Sequence, residues 1–187
     1  MSPLLAGLAA ALATAVGTLL GLVFLTAAYA KVRDIARFRE TVAQYRLMPE
    51  GLVGAGSVAL PVVEIAVGSG LLLGVRVALL PAAALLGLFA AAVAINVRRG
   101  RTHIDCGCGG ADGRRPISRA LVRHDLILSA LALLALAVPG PAEGLLRLGG
   151  LIAGGLFFLL NMTFDRIVAV GALYPGGRRA PVAWTQI

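Results

Sequence analysis

Long apolar stretches alternate with short polar segments along this 187-residue chain. Five stretches reach the roughly 20 residues that a helix needs to cross the hydrocarbon core of a bilayer. A single polar residue, Arg76, separates the second stretch from the third, which predicts an antiparallel helical hairpin there. The pattern therefore predicts five membrane-spanning helices, at about residues 4–29, 52–75, 77–97, 120–138 and 144–164.

A helical periodicity of a different kind follows the first span, at about residues 34–47. Asp34 is a suitable N-cap for a short helix, and Pro49 would end it. Its apolar side chains share one face, which predicts an amphipathic helix at the membrane interface; a plain polar connector is the alternative. The residues on that face are Ile35, Phe38, Val42 and Tyr45.

Composition supports a membrane protein. Apolar residues make up 59% of the chain, charged residues 14%, and the mean hydropathy is +0.90, whereas a soluble domain carries about 25% charged residues. The first span ends in Ala28-Tyr29-Ala30, as a signal peptide would, but it is too long and has no basic residue before it, so we expect it to be retained. The predicted fold is all-α: a polytopic membrane protein with a four-helix transmembrane bundle plus a fifth span.

The basic residues lie mainly on one side of the predicted topology. Residues 31–51, 98–123 and 166–187 carry 15 of the 17 Lys and Arg residues. The arginines flank apolar spans without interleaved aromatic residues, so we expect contact with the lipid bilayer and not with nucleic acid. The positive-inside rule places the N-terminus outside and the loop at residues 98–119 in the cytoplasm; a four-span topology would change this assignment.

That loop contains both cysteines of the chain, in Cys106-Gly107-Cys108. The glycine would let the backbone bend toward a strained, easily reduced disulfide, and nearby arginines would favour the nucleophilic thiolate. The pair is therefore interpreted as a redox-active dithiol. A metal site and a glycine turn with incidental thiols are the alternatives, and the metal site would use His103, Asp105, Cys106 and Cys108.

Three other polar residues are candidates for chemistry. Glu64 lies near the middle of the second span, where a carboxylate is costly unless it faces the bundle interior, protonated or paired. It could relay protons or contact a quinone-like ligand, or it could simply join helices through Thr18, Ser69 or Asn161. His124, beside the cysteine loop, could assist the thiolate or simply be solvated. Lys31 is expected to mark the interface and to pair locally.

An ordered set of motifs across roughly residues 15–140 resembles the methylamine utilisation protein E (MauE) family, a branch of the DoxX-like membrane proteins. The motifs are Ala28-Tyr29-Ala30-Lys31-Val32-Arg33-Asp34, Tyr45-Arg46-Leu47-Met48-Pro49, Leu60-Pro61-Val62-Val63-Glu64-Ile65-Ala66-Val67-Gly68, Arg99-Gly100-Arg101, Asp105-Cys106-Gly107-Cys108-Gly109 and Arg123-His124-Asp125-Leu126.

The resemblance implies membrane-side thiol–disulfide exchange in the maturation of methylamine dehydrogenase, alongside a thioredoxin-like partner. We expect this chain to be a multi-pass protein of the bacterial cytoplasmic (inner) membrane. Cys106 and Cys108 are the matching cysteines, and Lys31 and Glu64 the matching intramembrane polar residues. Export-side chemistry requires access from the outer face, whereas the charge distribution places the loop inside. Three explanations would resolve this conflict. Electrons could cross the membrane from a cytoplasmic donor, the loop could fold into the bundle, or the charge count could assign the wrong side to the loop.

The predicted function is thus that of a thiol–disulfide oxidoreductase that passes electrons through Cys106 and Cys108 to or from a thioredoxin-like protein or a maturing protein. No cofactor is assigned beyond a Cys106–Cys108 redox disulfide, with a quinone or a metal as alternatives. Two other functions stay open: a transporter or binder of a small molecule or metal centred on Glu64, and a non-catalytic scaffold subunit of a membrane complex.

Overall fold

The computed structural model of the chain describes residues 2–107, 116–138, 140 and 142–173, with side chains described as far as Thr163. Within these residues the regular structure is helical. The helices are α1 (Pro3–Arg33), α2 (Ile35–Tyr45), α3 (Glu50–Leu72), α4 (Leu79–Arg98), α5 (Arg119–Ala137) and α6 (Gly144–Leu173), with a 3₁₀ turn at Arg76–Ala78 before α4.

Five helical segments of the described chain are long and apolar enough to cross a membrane: α1, α3, the 3₁₀ turn with α4, α5, and α6 as far as Thr163. Many large apolar side chains point outward from them, including Leu12, Val62, Leu88 and Leu134, each more than half exposed. Such surfaces are stable against lipid but not against water. The predicted fold class, an all-α polytopic membrane protein, is confirmed.

The first helix is longer than the pattern predicts. It has 31 residues and ends at Arg33, and at a rise of 1.5 Å per residue it is about 46 Å long, against about 30 Å for the hydrocarbon core. Asp34 then caps α2 by accepting a hydrogen bond from the Arg37 amide at 3.1 Å, as the sequence predicts. The short helix ends at Tyr45, before Pro49, because Arg46 adopts a left-handed conformation with φ 48°.

Small residues bring α1 close to two neighbouring helices. Gly21 of α1 and Gly68 of α3 pack against each other so closely that a Cβ on either would lie 3.0 Å from the carbonyl oxygen of the other. Gly150 and Gly154, one turn apart on α6, lie directly against the backbone of α1 at Ala11 and Ala15. Small residues at four-residue spacing are the usual means by which membrane helices approach closely.

The main core lies between α1, α3, α4 and α5. Its buried members include Leu20, Phe24, Leu71, Ala82, Leu86 and Ala132. At the end of the bundle opposite the cysteine loop, Arg76 donates hydrogen bonds to the carbonyl oxygens of Leu136 and Val138. These are carbonyls that the end of α5 leaves without helical partners, so Arg76 fixes the α3–α4 connection to the end of α5.

Candidate functional site

The cysteine loop is closed at its base by a short antiparallel contact. The Ile117 amide donates to the Ile104 carbonyl at 3.0 Å, and Asp105 and Pro116 form an isolated β-bridge. Ile104 and Ile117 are each 2% exposed and pack with Val93 of α4 and Leu121 of α5. The loop therefore leaves and re-enters the bundle at a fixed point between the two helices.

Cys106 lies just above this base. Its side chain is half-buried and packs against the same apolar cluster. Gly107 follows with φ +71°, a conformation that glycine adopts readily and other residues rarely do. Its amide donates to Asp105 Oδ1 at 3.4 Å. Cys108 lies outside the described residues, so the geometry of the predicted Cys106–Cys108 pair stays a prediction.

Helix α2 covers one side of the loop through two adjacent residues. Arg37 Nη2 lies 3.1 Å from Asp105 Oδ2 in a partly exposed ion pair. The ring of Phe38 lies against Gly107, where a Cβ would be 3.1 Å from the ring atom Cε2. An open polar cleft of about 280 Å³ runs between α2 and the loop, lined by Arg37, Glu40, Thr41, Gln44, His103, Asp105 and Pro116.

A buried ion pair lies deeper in the bundle. Lys31 Nζ is 2.6 Å from Glu64 Oε1 and 2.8 Å from Oε2, and the two side chains are 5% and 0% exposed. The expectation that Lys31 pairs locally is therefore wrong, because the last turn of α1 directs it inward to Glu64 of α3. Glu64 faces the interior as predicted, but its partner is Lys31 and not Thr18, Ser69 or Asn161.

Two aromatic rings lie near the Lys31 ammonium group. Its nitrogen is 5.5 Å from the ring centroid of Phe38 on α2 and 5.7 Å from that of Phe89 on α4. Both distances lie within the roughly 6 Å over which a cation is attracted to the face of an aromatic ring. This arrangement is hard to predict from the sequence, because the pattern around Phe38 indicates only that it belongs to the apolar face of an amphipathic helix.

The structure places His124 at a junction between α5 and α6. Its Nδ1 is 3.3 Å from Asp125 Oδ1, and its Nε2 is 2.8 Å from Asn161 Nδ2. A neutral ring protonated on Nδ1 satisfies both contacts, donating to the carboxylate and accepting from the amide. Asn161 thus joins α6 to the bundle through His124, and a role for this histidine beside the thiolate stays a prediction.

Two buried polar atoms near the end of α4 have no hydrogen-bond partner within the described part of the chain: Asn96 Oδ1 and Arg101 Nη1. Asn96 is fully buried, and its Nδ2 donates to the Ala92 carbonyl at 3.1 Å, which leaves the amide oxygen as the unsatisfied atom. The hydropathy pattern did not single out Asn96. A lone asparagine in an apolar span was the available signal.

The alternative metal site is only partly within the described chain. Among the described residues, no group of three or more His, Cys, Asp or Glu side chains is placed to hold a metal ion. His103 and Asp105 line the cleft and Cys106 lies at the loop base, while Cys108, the fourth proposed ligand, lies outside the described residues.

The fold and site together define a polytopic membrane protein with a cysteine loop anchored on one end of its helical bundle and a buried ion pair between α1 and α3. The family model for methylamine utilisation protein MauE matches residues 9–138, which is more than half of the chain. This chain belongs to the MauE family.

Individual relatives agree with the family match. The chain is 40% identical over 167 residues to methylamine utilization protein MauE of Paracoccus denitrificans, covering 86% of this chain and 89% of the relative. It is 38% identical over 168 residues to the protein of that name from Paracoccus versutus, with the same coverage of both chains. It is 39% identical over 152 residues to that of Methylorubrum extorquens, covering 79% and 82%. No solved structure gives a significant match.

Proposed function

We propose that this chain is a membrane thiol–disulfide redox protein that passes electrons between Cys106-Gly107-Cys108 and a thioredoxin-like partner or a maturing protein. The observation that carries the proposal is the anchoring of the loop that bears the chain's two cysteines: its base is closed by a backbone pair and Gly107 supplies a left-handed turn between the thiols. A loop anchored in this way can present a thiol to a partner in a constant orientation.

The proposed exchange proceeds in two steps. In the first, the thiolate of Cys106 attacks a disulfide of the partner; a mixed disulfide forms, and the partner's second sulfur leaves as a thiolate. In the second, the thiolate of Cys108 attacks Cys106 within the mixed disulfide. The Cys106–Cys108 disulfide forms and the partner is released as a dithiol, so two electrons have moved to the partner and its thiolates take up two protons. The reverse sequence oxidises the partner, and the cysteines can exchange roles.

The family relationship supplies the setting of the proposal. The relatives are bacterial proteins that are named as methylamine utilization proteins. We therefore place this chain in the inner membrane of a bacterium that uses methylamine, where the electron exchange would serve the maturation of a disulfide-containing protein of that system.

The main alternative, a ligand or transport site centred on Glu64, has less support. Both oxygens of that carboxylate accept hydrogen bonds from Lys31, and the side chain is fully buried. A ligand would have to displace Lys31 before it could bind there. In the redox proposal the pair instead lies against Phe38, whose ring contacts the cysteine loop at Gly107.

The test is electron exchange in proteoliposomes with a thioredoxin-like protein, followed by mass spectrometry of the mixed disulfide. Cys106→Ser and Cys108→Ser should each abolish net transfer, and the variant that keeps the attacking cysteine should accumulate the mixed disulfide. Thr102→Ser, at an exposed position of the same loop, is the matched control and should behave as wild type. Full exchange without either cysteine would refute the proposal, and would favour a scaffold role if the chain copurified with a larger complex.

A further inference from the structure

Phe38 contacts both the cysteine loop and the buried ion pair. The ring is 6% exposed, its edge lies against Gly107, and its centroid is 5.5 Å from Lys31 Nζ. We propose that Phe38 is a positioning residue that couples the Lys31–Glu64 pair to the Cys106–Gly107 turn, so that a change in the pair changes the reactivity of Cys106. The significance of this coupling for electron transfer rests on the proposed redox function; the coupling itself does not.

The contact with the loop is tight. A Cβ on Gly107 would lie 3.1 Å from Cε2 and 3.3 Å from Cδ2 of the Phe38 ring, and 3.4 Å from Cγ2 of Thr41 on the next turn of α2. The backbone of Gly107 is thus seated on two side chains of α2. Because closely packed groups move together, a shift of the ring displaces the turn that carries Cys106.

The contact with the ion pair is electrostatic. The Lys31 ammonium lies within cation–π distance of the Phe38 ring, in surroundings from which solvent is excluded. Both oxygens of Glu64 hold the ammonium in place. Any event that weakens the pair, such as uptake of a proton by the carboxylate, frees the ammonium to move and changes the force that holds the ring.

A second contact makes α2 a two-point support for the loop. Arg37, the neighbour of Phe38, pairs with Asp105, the neighbour of Cys106. Adjacent residues of α2 therefore bind the loop on both sides of the cysteine, one by charge and one by packing. A displacement of Phe38 also alters this ion pair, and so reaches Cys106 through its backbone and through the local charge.

The coupling can be measured as a double-mutant cycle on one thiol. In a Cys108→Ser background, the purified reduced protein in nanodiscs is alkylated with N-ethylmaleimide, and the second-order rate at Cys106 is followed across a range of pH. The four proteins carry the native pair or Glu64→Gln, each with Phe38 or with Phe38→Met. Methionine fills a similar volume but has no aromatic face.

The proposal predicts that, with Phe38 present, Glu64→Gln changes the alkylation rate of Cys106 by about threefold or more at one or more of the pH values measured. With Phe38→Met, most of that change should be lost. Phe38→Tyr, which keeps the aromatic ring, should restore the effect of Glu64→Gln on the alkylation rate. Phe157→Met, at a ring that is 55% exposed on α6, should leave it intact. If Glu64→Gln does not fold, Glu64→Asp takes its place, since it keeps the charge but shortens the reach to Lys31.

Equal effects of the Glu64 substitution with and without Phe38, or no effect in either, would overturn the inference. Alkylation requires no electron transfer, so this result is independent of the exchange test. The exchange test could succeed while the cycle shows no coupling, and the cycle could show coupling in a chain that exchanges no electrons.

Discussion

Removing one member of the Lys31–Glu64 pair should destabilise the protein strongly. The charged atoms are 2.6 Å apart, and the side chains are 5% and 0% exposed. At an effective dielectric constant of about 20, Coulomb's law gives an attraction of about 6 kcal/mol, from which the desolvation of both ions must be subtracted. Because Lys31→Met would leave a buried carboxylate without a partner, we expect it to lower the free energy of unfolding by about 3–5 kcal/mol.

The same reasoning predicts that replacing both partners is tolerated. In the double variant Lys31→Met/Glu64→Leu no buried charge is left alone, so its free energy of unfolding should lie close to that of the wild type. The matched control is Asp105→Asn, which breaks a pair whose side chains are 41% and 21% exposed and should cost about 0–1 kcal/mol.

The assay is equilibrium unfolding in bicelles, with all variants measured in the same lipid. The reasoning would be refuted if Lys31→Met cost no more than Asp105→Asn, or if the double variant lost as much stability as the single one. Either result would mean that the pair is not a desolvated ion pair in the membrane.

Three further predictions concern the supports of the bundle. Gly154→Leu should detach α6 from α1, because even a Cβ at that glycine would clash with the α1 backbone. Gly149→Ala, at a glycine with open space around it, is the control and should leave the two helices in contact. Crosslinking between cysteines placed on α1 and α6 measures the difference. Arg76→Met should lower thermal stability by leaving two carbonyl oxygens at the end of α5 without a donor, at a cost of about 1–3 kcal/mol. Asn96→Leu removes a buried oxygen that has no partner among the described residues and should be neutral or stabilising in a thermal unfolding assay; marked destabilisation would indicate that a bound water or ligand satisfies that oxygen.

Much of the fold could be predicted because a bilayer restricts the choice so strongly. Apolar runs of sufficient length must form helices there, since backbone groups in hydrocarbon need internal partners. The capping of α2 by Asp34 was equally predictable, because it is decided within three residues. Predicted helix ends were less accurate where local geometry decides: the second span ends at Leu72 and not near residue 75, because Gly74, with φ +80°, ends the helix.

The site was less predictable because its contacts join distant parts of the chain. A lysine after an apolar run ordinarily reaches the headgroups, so local pattern favoured an interfacial Lys31. Its inward direction depends on the unbroken continuation of α1 to Arg33 and on the position of Glu64 in α3. The contact of Phe38 with Gly107 likewise depends on how α2 packs against the loop. The hydrophobic periodicity of α2 does not predict that packing.

The central claim is that Cys106 and Cys108 form a disulfide that opens and closes in function. The most direct test is labelling with a membrane-impermeant maleimide on intact spheroplasts and on inverted vesicles, each with and without prior reduction. The account predicts labelling that appears only after reduction and from one face of the membrane, which also identifies the compartment served. Labelling of both cysteines without reduction, unchanged by oxidants, would contradict it.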